Sequence, residues 1–222
     1  MIKFCWNNVD FIITDLGGGV LGKDIARHAH ALNCFELHFI TGGSGKLLVD
    51  GGEFTLKRGD FFITGPNLYH TQITDSERPT EDVFVLIQAL NPKGANAISE
   101  VFLNTAFTFK ENFETGTAEE LLREYREKRL DYQSAVAGLM MKIMSTVART
   151  LAPKSFSFTP TAENLNDRRF AIIEQAFLYN DELTLSELAS KIGLCERQTQ
   201  RLLKKYYGKS FREKKREKHT GA

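Results

Sequence analysis

The sequence predicts an α+β protein: an N-terminal β-barrel or jelly roll with helices, then a small all-α helix-turn-helix domain. Three observations lead there. The first 90 residues hold short runs of branched and aromatic residues between regular turn signals, the pattern of a sandwich or barrel. From Thr117 the apolar residues change to helical spacing. Leu183 to Phe211 then contains two short helical patterns, each with its own start and stop.

Strands are expected over Phe35 to Ile40, Lys46 to Val49, Glu53 to Leu56 and Val83 to Gln88. Asp50-Gly51-Gly52 is a tight hairpin turn. Lys57 to Asp60 is a second turn and Pro66-Asn67 a third. This barrel is assigned to residues 1–116.

Residues 117–151 read as helical. Glu119 to Asp131 is charged, with Leu121, Leu122 and Tyr125 as its apolar side. Val136, Leu139, Met140, Ile143, Met144 and Val147 then form a stripe at i, i+3, i+4, i+7 spacing. The stripe has two readings: a helix packed on the barrel, or a dimerisation face. Residues 152–166 contain Pro153, Pro160 and several Ser and Thr, and read as a linker. A helix from Arg168 to Tyr179, with Asp167 as N-cap, opens the last part, 167–222.

Thr184 and Glu187 form a capping box that starts the next helix. Leu185, Leu188, Ala189 and Ile192 make its apolar face, and Gly193 stops it. A second helix follows Cys195 and runs to Tyr207, with Gly208 as its stop. Such a pair offers its second helix to a DNA major groove. From Gly193 to the end there are ten Lys/Arg against three Asp/Glu, a net of +7. Arg197, Gln200 and Arg201 are placed to read bases, because Arg and Gln pair bidentately with guanine and adenine edges. Lys204, Lys205 and Lys209 are placed to contact phosphates, which position rather than specify.

The residues Leu185 to Gly193 (LSELASKIG) and Arg201 to Phe211 (RLLKKYYGKSF) resemble the AraC family of bacterial transcription regulators. The resemblance implies a cytoplasmic regulator that binds double-stranded DNA, responds to a small-molecule effector and forms a homodimer, with RNA polymerase as a further partner. The chain departs from the family in three places. Cys195 stands where the family has a serine N-cap, and Thr199 where an apolar residue packs. The family carries two helix-turn-helix units, whereas residues 167–222 hold one, so the DNA-binding part is expected to be incomplete. The segment Arg212 to Lys218 has no apolar residue, and no packed helix is expected there.

Gly22, His28, His30, Glu36 and Gly42 or Gly43 resemble the first motif of the cupin barrel, and Gly59-Asp60, Pro66 and His70 its second. In metal-binding cupins the positions of His28, His30, Glu36 and His70 are the metal ligands. AraC-type sensors often keep such histidines as pocket lining or as structural hydrogen bonders. The expectation is a ligand pocket of His28, His30, Glu36, His38 and His70 with no cofactor. A metal on His28, His30, Glu36 and His70 is the alternative, a donor set suited to a divalent transition metal. His28 and His30 alternate on an expected strand and so share a face. His38 shares the face of Glu36.

Composition agrees with these assignments. The net charge of +1 hides an asymmetry: residues 1–153 hold 15 Lys/Arg against 19 Asp/Glu, net −4, and 154–222 hold 14 against 9, net +5. Charge of this kind sets partners rather than fold. Cys5, Cys34 and Cys195 are odd in number and widely spaced, which points to a reducing compartment. Asn7, Asn8 and Asp10 interrupt the apolar start, so no signal peptide is expected. No run of about 18 apolar residues occurs, so no membrane span is expected. Catalysis is not required by this reading. Two rivals are a regulator that acts by mixed dimerisation rather than on DNA, and a metal-dependent cupin enzyme.

Overall fold

In the computed structural model the described residues are 1–157 and 162–220, with side chains described over 1–157 and 169–216. The chain divides into two compact units, Met1–Phe156 and Ser157–Ala222.

The first unit is a jelly roll of two antiparallel sheets with helices. Its strands are β1 (Ile2–Trp6), β2 (Val9–Val20), β3 (Ile25–His28), β4 (Cys34–Gly42), β5 (Ser44–Val49), β6 (Gly52–Lys57), β7 (Phe61–Thr64), β8 (His70–Thr74), β9 (Glu81–Ala89) and β10 (Phe107–Lys110). The six-stranded sheet runs β1-β2-β9-β4-β7-β10 and the four-stranded sheet β3-β8-β5-β6. The expected strands are all present. Gly51, in the turn between β5 and β6, takes φ +99°, a conformation that a Cβ would strain.

Strand β4, inside the six-stranded sheet, is buried on both faces, and this sorts its side chains by parity. Phe35, Leu37 and Phe39 join one core with the helices, whereas Ile40 joins a second core with Leu47, Leu56 and Phe62. Glu36 and His38 share the parity of Ile40 and are therefore carried to the inside of the roll. The strand has no solvent-facing side, so its polar residues must find partners within the protein.

Three helices complete this unit: α1 (Ala97–Leu103), α2 (Gly116–Glu127) and α3 (Tyr132–Leu151). Asn96 caps α1 by accepting from the backbone N–H of Ile98 and Ser99. On α3, Val136, Met140, Ile143, Met144 and Val147 are buried in the same core as Phe35, Leu37 and Val85. Leu139 is partly buried against that core. Most of the stripe is thus core within one chain, as in the first of the two readings.

One local expectation changes. His28 is the last residue of β3, while His30 lies beyond the strand in an isolated bridge to Pro66. The H-x-H pair therefore converges by a bend rather than by strand alternation.

The second unit contains α4 (Ala162–Tyr179), α5 (Leu185–Ile192), α6 (Glu196–Tyr207) and α7 (Phe211–Thr220). Helix α4 begins before Asp167, the expected N-cap, whose side chain lies outside the described residues; Ala162 and Glu163 are good helix formers and extend it. The α5 capping box is formed: Glu187 N donates to Thr184 Oγ1, and Thr184 N donates to Glu187 Oε2. Gly193 closes α5 at φ +65°. The departures from the family are accommodated locally. The Cys195 backbone N–H donates to Gln198 Oε1 at 3.2 Å, and the Thr199 hydroxyl donates to the Cys195 carbonyl at 3.0 Å.

Helix α7 corrects the expectation of no packed helix after Phe211. Phe211 itself is buried and lies 5.4 Å from the Phe177 ring. Lys215 Nζ donates to the Leu183 carbonyl at 3.0 Å, and the Lys214 ammonium sits over the Tyr207 ring at 4.7 Å. One aromatic anchor and two lysines laid along the unit replace an apolar face.

Candidate functional site

Glu36, from the middle of β4, is the centre of the barrel site. His30 Nε2 lies 2.9 Å from its Oε2, His38 Nε2 3.1 Å, His70 Nε2 3.3 Å and His28 Nε2 3.9 Å. The register explains the convergence. β3 and β8 set His28 opposite His70, and the isolated bridge brings His30 to Pro66 beside them. The four histidines expected at the pocket from the sequence are thus brought to the one carboxylate expected there, that of Glu36.

The donor set fits a divalent metal. Ligand atoms of His28, His30, Glu36 and His70 all lie within 4.8 Å of one another. The His28 Nδ1–H donates to the Ala26 carbonyl at 2.8 Å and the His70 Nδ1–H to the Leu68 carbonyl at 3.1 Å. In a neutral ring with hydrogen on Nδ1, Nε2 carries a lone pair. A cation held there would take both lone pairs together with the Glu36 carboxylate. Backbone carbonyls that fix the tautomer of a ligating His are the usual outer support of a metal site.

His38 plays a different part. It is buried between two carboxylates, donating from Nδ1 to Asp82 Oδ2 at 2.8 Å and facing Glu36 through Nε2. Its ring also stacks on Phe62, with centroids 4.4 Å apart. Burial favours the neutral ring, but the Glu36 charge and the bonds to Asp82 and Glu36 outweigh it, pushing the His38 pKa up to about 10. Glu36 moves the other way. Burial would raise its pKa, but the His38 charge and bonds from His30, His38 and His70 hold it well below the usual carboxylate range.

A cavity of about 200 Å³ adjoins this cluster, lined by Asp15, Leu21, Ile25, His28, Glu36, His38, His70, Gln72, Asp82 and Phe84. Asp15, Gln72, Asp82 and Phe84 were not singled out in the sequence. A signal existed for one of them: Gln72 lies two residues after His70 on β8 and so shares its face.

In the second unit, Arg197, Arg201, Lys204 and Lys205 are exposed along one face of α6 at i, i+4, i+7 and i+8. Lys209 is exposed just past the Gly208 stop. Gln200 and Lys204, both expected at DNA, make intramolecular hydrogen bonds. Gln200 is half-buried, and its Oε1 accepts from the Phe211 backbone N–H at 3.4 Å, tying α6 to α7. Lys204 Nζ donates to the Gly208 carbonyl at 2.9 Å, which caps its own helix. No helix among the described residues is long and apolar enough to cross a membrane.

The cupin-domain family model matches residues 20–86. No curated protein matches the chain in sequence. Among solved structures, a cupin protein from Bacteroides fragilis is similar at 18% identity over 36% of this chain and 66% of its own, slightly under two thirds, with a TM-score of 0.30. Unsaturated fatty acid-bound ToxT from Vibrio cholerae is similar at 10% identity over 95% of this chain and 78% of its own, with a TM-score of 0.40. The AraC-like transcriptional activator CuxR is similar at 12% identity over 98% of this chain and 77% of its own, with a TM-score of 0.34. Residues 20–86 thus carry a cupin domain, set within a jelly roll that precedes an all-α unit.

Proposed function

We propose that this chain is a transcription regulator of AraC type, in which a cupin barrel senses a small molecule and the α5–α6 pair contacts double-stranded DNA. The observation that carries the reading is the face of α6. Arg197, Arg201 and Lys205 stand exposed on a helix whose entry turn is capped on both sides. A metal-dependent enzyme would share the barrel ligands but gives that basic face no task.

Within the barrel, His28, His30, Glu36 and His70 would hold a divalent transition metal, in place of the cofactor-free pocket expected from the sequence. Such a metal would supply a Lewis-acidic centre for an effector's polar group. His38 keeps Glu36 oriented and ionised, while Leu21, Ile25 and Phe84 give the effector an apolar wall. An effector that binds one arrangement of the protein better than another would bias DNA binding by that difference in affinity.

The reading is tested by selecting duplexes from a random pool with the 222-residue chain. Enrichment of a shared sequence, abolished by Arg197→Ala with Arg201→Ala, is the expected result. A pool that stays random through repeated rounds at low salt removes the DNA-binding reading.

A further inference from the structure

We infer that Gln72 and Asp82 read the ligand of the barrel cavity, and that this ligand is a small neutral molecule offering one hydrogen-bond donor and one acceptor, as a primary amide does. The inference rests on the sensing role proposed above and names what is sensed. Both side chains line the cavity, and each is 2% exposed. Among the described residues, Gln72 Nε2 and Asp82 Oδ1 have no hydrogen-bond partner. Buried polar groups are nearly always paired, since an unmade bond forfeits their hydration.

Both groups are held in place by the fold. Gln72 sits on β8 between Ile25 of β3 and Leu47 of β5. Asp82 is held through Oδ2 by His38, which leaves Oδ1 over. One unpaired atom is a donor and the other an acceptor, on two residues that line the same 200 Å³ space.

Charge and size narrow the class further. Asp15, Glu36 and Asp82 line the cavity with His38 as the cation between the last two, and no Lys or Arg does so among the described residues. A carboxylate would bring no donor to Asp82. A cation without an acceptor would leave Gln72 unpaired. A neutral amide satisfies both, and Phe84, Leu21 and Ile25 receive a short hydrocarbon substituent. The volume falls below the ~300–1,000 Å³ of sites for drug-sized ligands, so the ligand is small.

Acetamide, acetate and acetamidinium have one shape and differ in charge and in donors and acceptors. Saturation-transfer NMR on the methyl group of each, with the full chain, compares them directly. Acetamide should receive the most saturation. Gln72→Leu should weaken its binding about tenfold, the loss of one hydrogen bond, and should raise the thermal midpoint by removing an unpaired donor. Gln72→Glu turns the donor into an acceptor and should move the preference to acetamidinium. Equal transfer to acetate and acetamide overturns the inference, as does unchanged acetamide binding in Gln72→Leu with a lowered midpoint. DNA affinity is read on the same samples with and without acetamide. Acetamide binding that leaves DNA affinity unaltered counts against the sensing role alone.

Discussion

His38 donates from Nδ1 to Asp82 at 2.8 Å while its Nε2 lies 3.1 Å from Glu36, so one buried imidazole is held between two carboxylates. Its pKa is raised to about 10 in the folded chain, against about 6.5 when unfolded. A raised pKa stabilises the fold fully below the unfolded value, and the contribution disappears as pH rises through the folded one. Metal-free protein should therefore lose stability steadily between about pH 6.5 and about 10. His38→Phe keeps the stacking on Phe62 and should flatten that slope. Glu36, with its pKa lowered, contributes above its unfolded value and loses the contribution in acid. Thermal melts in chelator across this range decide the matter, and identical slopes for both proteins refute the assignment.

Metal binding is the second expectation. The protein should take up about one equivalent of nickel or zinc, read by calorimetry. His28→Ala or His70→Ala should abolish it. His38→Phe should weaken it by about 10–100-fold, as loss of an outer-shell partner does. Unaltered uptake by His70→Ala would place the ion elsewhere.

On DNA, Arg201→Ala should cost about 1–3 kcal/mol at a selected site and relax preference at one base. Lys205→Ala should weaken selected and random duplexes alike. Gln200→Ala should act on folding instead, because its side chain braces the start of α7. Fluorescence anisotropy with a parallel melt separates these effects. Equal losses on both duplex types for Arg201→Ala would contradict base reading.

The α3 stripe gives a stability prediction. Met140 is fully buried, and Met140→Ala should cost about 2–5 kcal/mol of unfolding free energy. Met141, its neighbour, is exposed, and Met141→Glu should leave stability within about 0.5 kcal/mol. Denaturant melts of residues 1–156 within the full chain report both. A stable Met140→Ala would return the stripe to the surface.

The barrel and the α5–α6 pair were legible because their signals are local. Alternation in β4, the turn at Gly51 and the Thr184 capping box each depend on residues a few positions apart. The five pocket residues were legible through their motif spacing. Asp82 was not, because nothing near it in sequence marks it, and Gln72 had only its shared face with His70 on β8. Asp82 is defined by its partner His38, 44 residues away.

By itself, the sequence determined the fold class, the caps of α5 and the polar set around Glu36, since periodicity and backbone conformation are written into neighbouring residues. Only the tertiary structure decided the rest. It buried the α3 stripe within the chain, since an apolar face is satisfied by whichever surface reaches it first. It gave α7 a packed place through Phe211 and lysine stems rather than an apolar face. It set His38 between Glu36 and Asp82, turning a histidine that merely faced inward into a charge held between two others. Long-range register makes such a pairing, and no pattern of neighbours records it.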